Sequence, residues 1–196
     1  ANDPLQAFDA ADEYLLEQLH AQALPGGSRV LVLNDSFGAL AVSLAGHMQV
    51  TSSGDSYLAQ LALGKNLARN GLPADSVSFV PACHTWQGPF DRVVIRVPKT
   101  LALLEEQLIR LQGHLAPGAL VIAGAMIKHL PHAAGDLLEK YVGPMQASLA
   151  RKKARLLTAT VEARPAFTSP YPSRYRLESP PLELLNHANV FCREGL

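Results

Sequence analysis

The chain has 196 residues, 48% of them hydrophobic and 17% charged, with 17 Lys plus Arg against 17 Asp plus Glu. A chain this long buries roughly 70% of its unfolded surface and folds without staples, so a disordered chain is excluded, and no apolar run approaches the roughly 20 residues of a membrane helix. The zero net charge hides an asymmetry: residues 1–19 carry Asp3, Asp9, Asp12, Glu13 and Glu17 and no base, whereas residues 151–176 carry seven basic side chains against Glu162 alone.

The first predicted element is a helix over DPLQAFDAADEYLLEQL, where Leu5, Phe8, Ala11, Leu15 and Leu19 recur at near-helical spacing and acids gather near the start. PGG at 25–27 ends it. RVLVLN then reads as a buried strand, FGALAVSLAG as a helix, MQVTSS as a second strand and SYLAQLALGKNLARNG as a second helix closed by Gly71. DSVSFVPA and the β-branched FDRVVIRVP are strands, LALLEEQLIRLQGHL a helix, and ALVIAGAM another strand. A helix around Ala134 to Leu149 precedes the strand ARLLTATVEAR, and a Pro-rich excursion, PAFTSPYPSRYRL, leads to a last β-like piece. Such alternation predicts an α/β, doubly wound, mostly parallel sheet with helices on both faces. The expected division is a domain over 1–164 and a Pro-rich segment with a final β-like piece over 165–196. No Met begins the chain, no signal-peptide pattern follows, and ANVFCREGL ends it just after a β-like run, so the expectation is a piece of a longer protein.

In doubly wound folds the loop after the first strand carries the backbone close to a cofactor. Laid on VLVLNDSFG, the acid-x-G-x-G-x-G loop of proteins that bind S-adenosylmethionine puts Val32 at the acid, Asn34 and Ser36 at the first two glycines and Gly38 at the last. Val32 accepts no hydrogen bond, and the side chains at Asn34 and Ser36 add bulk where a cofactor lies against bare backbone. The loop therefore reads as vestigial, with Phe37 and its neighbours expected to close the old pocket. After strand two, the position that holds ribose hydroxyls falls on Gly54, with Asp55 beside it. Asp55 is equally placed to cap the next helix, and the cap is the favoured reading. After strand four, VPK puts Val97 and Lys99 where transfer to an exocyclic amine uses a short Asn/Asp-Pro-Pro-aromatic motif, so no catalytic residue is predicted.

LQAFDAADEYLLEQL, VLNDSFGALA, DSYLAQLALGKNLARNG, VPKTLALLEEQL and ARKKARLLTATVEARP occur in order, and together they resemble the N-terminal half of the ribosomal RNA large subunit methyltransferase G family. The resemblance implies a degenerate copy of the class I, Rossmann-like methyltransferase fold, in tandem with an absent C-terminal catalytic domain. It implies that the whole protein transfers a methyl group from S-adenosylmethionine to the N2 amine of a guanine in large-subunit 23S rRNA, with the cofactor on that other domain. This half would then support rRNA recognition and scaffolding. The other reading is an enzyme in its own right, a methyltransferase or nucleotide-dependent oxidoreductase with an altered loop.

The candidate RNA contacts are Arg151, Lys152, Lys153, Arg155, Arg164, Arg174, Tyr175 and Arg176, where bases displace counterions and Phe167, Tyr171 and Tyr175 offer stacking surfaces. The tyrosines are equally suited to packing the Pro-rich turn on the core. His129 and His132 in KHLPH are separated by Pro131 and lack a third ligand, so no metal site is expected. Cys83-His84 beside Trp86 reads as ordinary packing, since catalytic pairs are neighbours in space rather than in sequence. Cys83 and Cys192 lie outside any CxxC spacing; a reducing cytoplasm is the expected location and a membrane is not an expected partner.

Overall fold

The computed structural model describes residues 6–190. Its strands and helices alternate in the predicted order. They are α1 (Ala10–Ala21), β1 (Arg29–Leu33), α2 (Ala39–Leu44), β2 (Gln49–Gly54), α3 (Tyr57–Arg69), β3 (Val77–Pro81), β4 (Phe90–Arg96), α4 (Leu101–Leu111), β5 (Leu115–Met126), α5 (Ala133–Tyr141), β6 (Met145–Ala147), β7 (Ala154–Thr160), β8 (Ser173–Leu177) and β9 (Leu182–Asn186). Seven strands form one sheet in the order β3-β2-β1-β4-β5-β7-β6, in which β7 alone runs antiparallel to its neighbours. The fold class is therefore the mixed, mostly parallel, doubly wound sheet expected.

The near-continuous apolar run of β1 follows from burial on both faces. Val30 and Val32 pack with Leu15 and Leu19 of α1, Leu40 and Leu44 of α2, and Leu63 and Leu67 of α3. Leu31 and Leu33, pointing the other way, pack with Leu104 and Leu108 of α4 and Leu138 of α5. The sheet thus has α1, α2 and α3 on one face and α4 and α5 on the other.

Several boundaries differ from the expectation: α4 ends at Leu111 rather than Leu115, β5 begins at Leu115 rather than Ala119, and β7 ends at Thr160. The first helix starts at Ala10, because Asp9 caps it: the Asp9 side chain accepts from the N–H groups of Ala11 and Asp12, and Asp12 reciprocates to the Asp9 N–H at 2.8 Å. Phe8 is consequently outside the helix and exposed, and Leu5 lies outside the described residues. The helix predicted to run to Leu149 stops at Tyr141, because Pro144 disfavours helical geometry before it and a Cβ at Gly143 would sit 2.0 Å from the Thr160 carbonyl oxygen. The residues that follow form β6, an edge strand on β7. The end of the Pro-rich excursion is itself a strand, β8, which forms a separate two-stranded hairpin with β9. Most of the closing stretch ANVFCREGL lies outside the described residues. Among those residues, no helix is long and apolar enough to cross a membrane.

Candidate functional site

The loop after β1 sits at the carboxyl edge of the sheet, beside the switch in strand order between β1 and β4 where doubly wound folds bind ligands. Val32 is fully buried in the core and presents nothing to the loop. Asn34 takes a left-handed backbone, φ 64°, and turns its amide inward. Its Nδ2 donates to the Arg96 carbonyl at 3.0 Å and to Gln107 Oε1 at 3.0 Å, while Gln107 Nε2 donates back to Asn34 Oδ1 at 2.8 Å. This reciprocal amide pair fills the space between the end of β4 and helix α4.

Asp35 is also turned inward. Its two carboxylate oxygens accept from the N–H groups of Gly38 and Ala41, each at 3.0 Å, so the residue serves the start of α2. Burial pushes its carboxyl above the ordinary range, against the pull of the N–H groups of Ala41, Gly38, Leu40 and Phe37. Ser36 is exposed. Phe37 is half exposed and lines the space that remains above the loop, while the planar amides of Asn34 and Gln107 satisfy one another between β4 and α4. Gly38 is required twice over: its φ is 80°, and a Cβ there would meet the Cα of Leu63 at 2.9 Å. The close approach is to α3.

The end of β4 is occupied as well. Arg96 Nη2 meets Asp9 Oδ2 at 2.8 Å and Arg96 Nε meets Asp12 Oδ1 at 3.2 Å, tying the start of α1 across the loop. Burial drives the Asp12 carboxyl up to about 6, overriding the Arg96 charge. Asp9 is buried less, and there the Arg96 charge and the N–H groups of Ala11 and Asp12 prevail over burial and hold the carboxyl below its ordinary range. The space left above the loop is a cavity of about 160 Å³, below the roughly 300 Å³ at which small-molecule pockets begin. Val97 bonds to β5 through its N–H and packs against the core, and Lys99 is exposed.

At the end of β2, the cap of α3 is Ser56, whose Oγ accepts from the Ala59 N–H at 3.2 Å, and not Asp55. Ser56 is the residue directly before the first helical turn and has the extended backbone a cap needs. Asp55, one residue too early, instead accepts from Asn189 Nδ2, and Asn189 Oδ1 accepts from Thr100 Oγ1 at 2.8 Å. The chain's own tail therefore crosses the carboxyl edge between β2 and α4 and engages the carboxylate placed nearest the ribose position.

The basic residues do not form one patch. Arg151 and Ala154 bond to each other across a tight turn whose middle residues, Lys152 and Lys153, both take left-handed backbones, φ 47° and 63°. That turn lies at the carboxyl edge, next to α1. Arg151 pairs with Glu17 and Lys152 with Glu13 at 2.6 Å, so the acidic start of the sequence lies against the basic segment. Lys153 is exposed, and Arg155 follows on β7. Arg164 lies past the opposite end of β7 and pairs with Glu162; Arg174, paired with Glu183, stands on the hairpin with Tyr175 and Arg176.

His129 sits in a short turn and His132 just before α5; among the described residues no cluster of three His, Cys, Asp or Glu is placed to hold a metal. Cys83 is exposed, His84 gives its carbonyl to Arg110 Nη2 at 2.6 Å, and Trp86 is buried with its Nε1 donating to Ser53 Oγ at 3.0 Å. Gln107 was missed by sequence reasoning, although a signal was present. It is the polar residue on the leucine stripe of α4, and a buried amide needs a partner. Nothing local announced the Asn189–Asp55 contact, which joins residues 134 apart.

A family model described as the RLMG N-terminal domain matches residues 1–163. The ribosomal RNA large subunit methyltransferase G of Pseudomonas putida strain GB-1 is 80% identical over 196 residues, covering 100% of this chain and 52% of that protein. The same-named protein of Pseudomonas aeruginosa strain UCBPP-PA14 is 73% identical over 194 residues, covering 99% and 52%. The chain thus spans about half the length of these relatives. Among solved structures, a T. thermophilus 16S rRNA N2 methyltransferase in complex with AdoMet and guanosine superposes with a TM-score of 0.65 at 24% identity, over 79% of this chain and 44% of that one. A precorrin 8w decarboxylase from Methanobacterium thermoautotrophicum gives 0.63 at 20%, over 79% and 92%. Both share the fold, which is that of class I methyltransferases. On the match over residues 1–163, the chain belongs to the RLMG N-terminal domain family.

Proposed function

We propose that this chain is the non-catalytic, RNA-recognising and scaffolding half of a 23S rRNA guanine-N2 methyltransferase. Residues 1–164 form a degenerate methyltransferase fold, and residues 165–196 lead toward a C-terminal domain that binds S-adenosylmethionine and performs the transfer. The observation that carries the reading is the Asn34–Gln107 amide pair: the space a cofactor needs after β1 is filled by two side chains that satisfy each other, 73 residues apart in sequence. Arg96 supports it from the neighbouring strand, since its ion pairs with Asp9 and Asp12 hold the site where an amine acceptor would be oriented.

The basic turn at Arg151 to Arg155 supplies the RNA contact in this reading, with Arg164, Arg174, Tyr175 and Arg176 on separate surfaces extending it. The hairpin supplies the scaffold: Leu177, Leu182 and Leu184 are exposed on one face of it, with Leu177 opposite Leu182 and Leu184 opposite Tyr175, and among the described residues β8 and β9 pair only with each other. An apolar face of this kind suits a neighbouring domain, and relatives nearly twice as long as this chain provide one. A cytoplasmic location accompanies an rRNA partner.

Calorimetric titration of the chain with S-adenosylmethionine tests the reading. No saturable heat is expected up to millimolar cofactor, whereas micromolar binding would show that the loop after β1 works and overturn the non-catalytic assignment.

A further inference from the structure

Helix α3 is apolar on two opposite faces. Ala59, Leu63 and Leu67 are buried against the rest of the fold, whereas Tyr57, Leu58 and Leu61 on the outer side are 70%, 74% and 45% exposed. A surface helix ordinarily keeps its outer face polar, and further along α3 that rule holds, with Lys65 and Arg69 exposed. Leu61 stands four residues from Tyr57 and three from Leu58, so it neighbours both and the three side chains make one patch over the first turns. On the flank, the Phe37 carbonyl accepts from Asn66 Nδ2 at 2.8 Å, which ties the half-exposed Phe37 to the same helix. None of these four side chains belongs to either side of the core.

The tail runs directly past this patch. After β9, residues 187–190 form a turn in which the Val190 N–H donates to the His187 carbonyl at 3.0 Å. Asn189 in that turn is held twice, by Asp55 just before α3 and by Thr100 just before α4. Val190, itself half exposed, lines one cleft together with Tyr57 and Gln60. The relatives are nearly twice as long as this chain, which matches their N-terminal domain family, so their remaining half lies beyond this point.

We propose that Tyr57, Leu58 and Leu61 dock the second half of the longer protein, which the Asn189 latch delivers onto them. The inference rests on the reading of this chain as one half of a two-domain protein, and it gives that partner a second seat besides the hairpin. A partner tethered by a short linker is present at an effective concentration of about millimolar. A small apolar contact therefore suffices to seat it, where a freely diffusing protein would need a larger one. Surfaces between domains of one chain bury about 600–1,500 Å², and their water-free centre is the apolar part.

Maleimide labelling of Leu58→Cys and Leu61→Cys tests the proposal, read by mass spectrometry on the peptide that carries each site, in the 196-residue chain and in the full-length protein. Both positions are exposed, so the fold tolerates the substitutions. Labelling is expected to be at least about tenfold slower in the full-length protein, the protection given by a contact that is open less than about a tenth of the time. Within the full-length protein, Asn189→Ala and Leu58→Glu are each expected to speed labelling at position 61 toward the rate of the chain alone. The proposal is overturned by equal rates in the two proteins, or by a full-length rate that neither variant moves. Protection that grows with the concentration of the 196-residue chain overturns it in favour of a second copy, and protection that appears only with added rRNA overturns it in favour of RNA. Binding of S-adenosylmethionine by the full-length protein but not by this chain upholds the two-domain reading whatever the labelling rates, so the docking and that reading fail separately.

Discussion

At the scale of residues, Lys152 and Lys153 hold the least comfortable backbone in the fold. Two consecutive left-handed residues form the kind of tight hairpin turn that Asn-Gly occupies readily, and a side chain with a full Cβ costs about 1–2 kcal/mol there. Replacing the pair by Lys152→Asn and Lys153→Gly is expected to raise Tm by about 2–4 °C for each kcal/mol relieved, measured by thermal unfolding. An unchanged or lower Tm would show that the turn carries no strain. The turn was not legible from ARKKAR, a plain run of bases, because nothing in two lysines announces a positive φ. Val32 and Gly38 were legible, since their roles follow from burial and from close approach. Asn34 was half legible: its bulk was evident, but its partner lies 73 residues away on another element.

At the scale of elements, α1 is fastened by charge as much as by its leucines. Arg96 at the end of β4 meets both Asp9 and Asp12, and the two acids respond to pH in opposite directions. The folded chain raises the Asp12 carboxyl from 3.8 to about 6, so it holds a proton there that the unfolded chain releases, and stability falls as pH rises through that window. The contribution of Asp9 is present above its ordinary value and is lost as pH falls below it. Denaturant unfolding between pH 4 and pH 7 is expected to show a shallower pH dependence in Asp12→Asn than in the parent chain. Identical slopes would assign the titration to other raised acids, Asp35 and Glu106. The order and type of the sheet elements up to β5 were legible from periodicity alone, because each helix buries one stripe and each strand both faces. The end of α5 and the short β6 were not, since Gly143 and Pro144 act through the contact with Thr160 on a strand still to come.

At the scale of the whole molecule, the two charged ends of the sequence partly neutralise one another. Glu13 and Glu17 on α1 stand against Lys152 and Arg151, so an RNA phosphate must displace a carboxylate to reach either base. Exposed pairs of this kind are weak, worth about 0–1 kcal/mol, and yield to salt or to a better anion. The double variant Glu13→Gln and Glu17→Gln is therefore expected to bind protein-free large-subunit rRNA more tightly. The slope of log affinity against log salt should steepen by up to about 0.7–0.9 for each base freed. Fluorescence anisotropy between 50 and 200 mM salt checks this, with charge reversal at Lys152, Lys153 and Arg155 expected to weaken binding; unchanged binding in both variants would remove the turn from the RNA contact. The charge asymmetry was plain in the sequence, whereas its internal pairing was not, because it depends on β7 running back along the sheet to set its turn beside α1.

The β8–β9 hairpin has leucines open to water and, among the described residues, joins no larger sheet. A lone two-stranded ribbon is only marginally stable in water, and open edges template pairing with any strand that arrives. The hairpin therefore holds its shape best on a borrowed surface. The same stickiness that would let it clasp an adjoining domain makes it the place where crowded copies of this chain would begin to stack edge to edge.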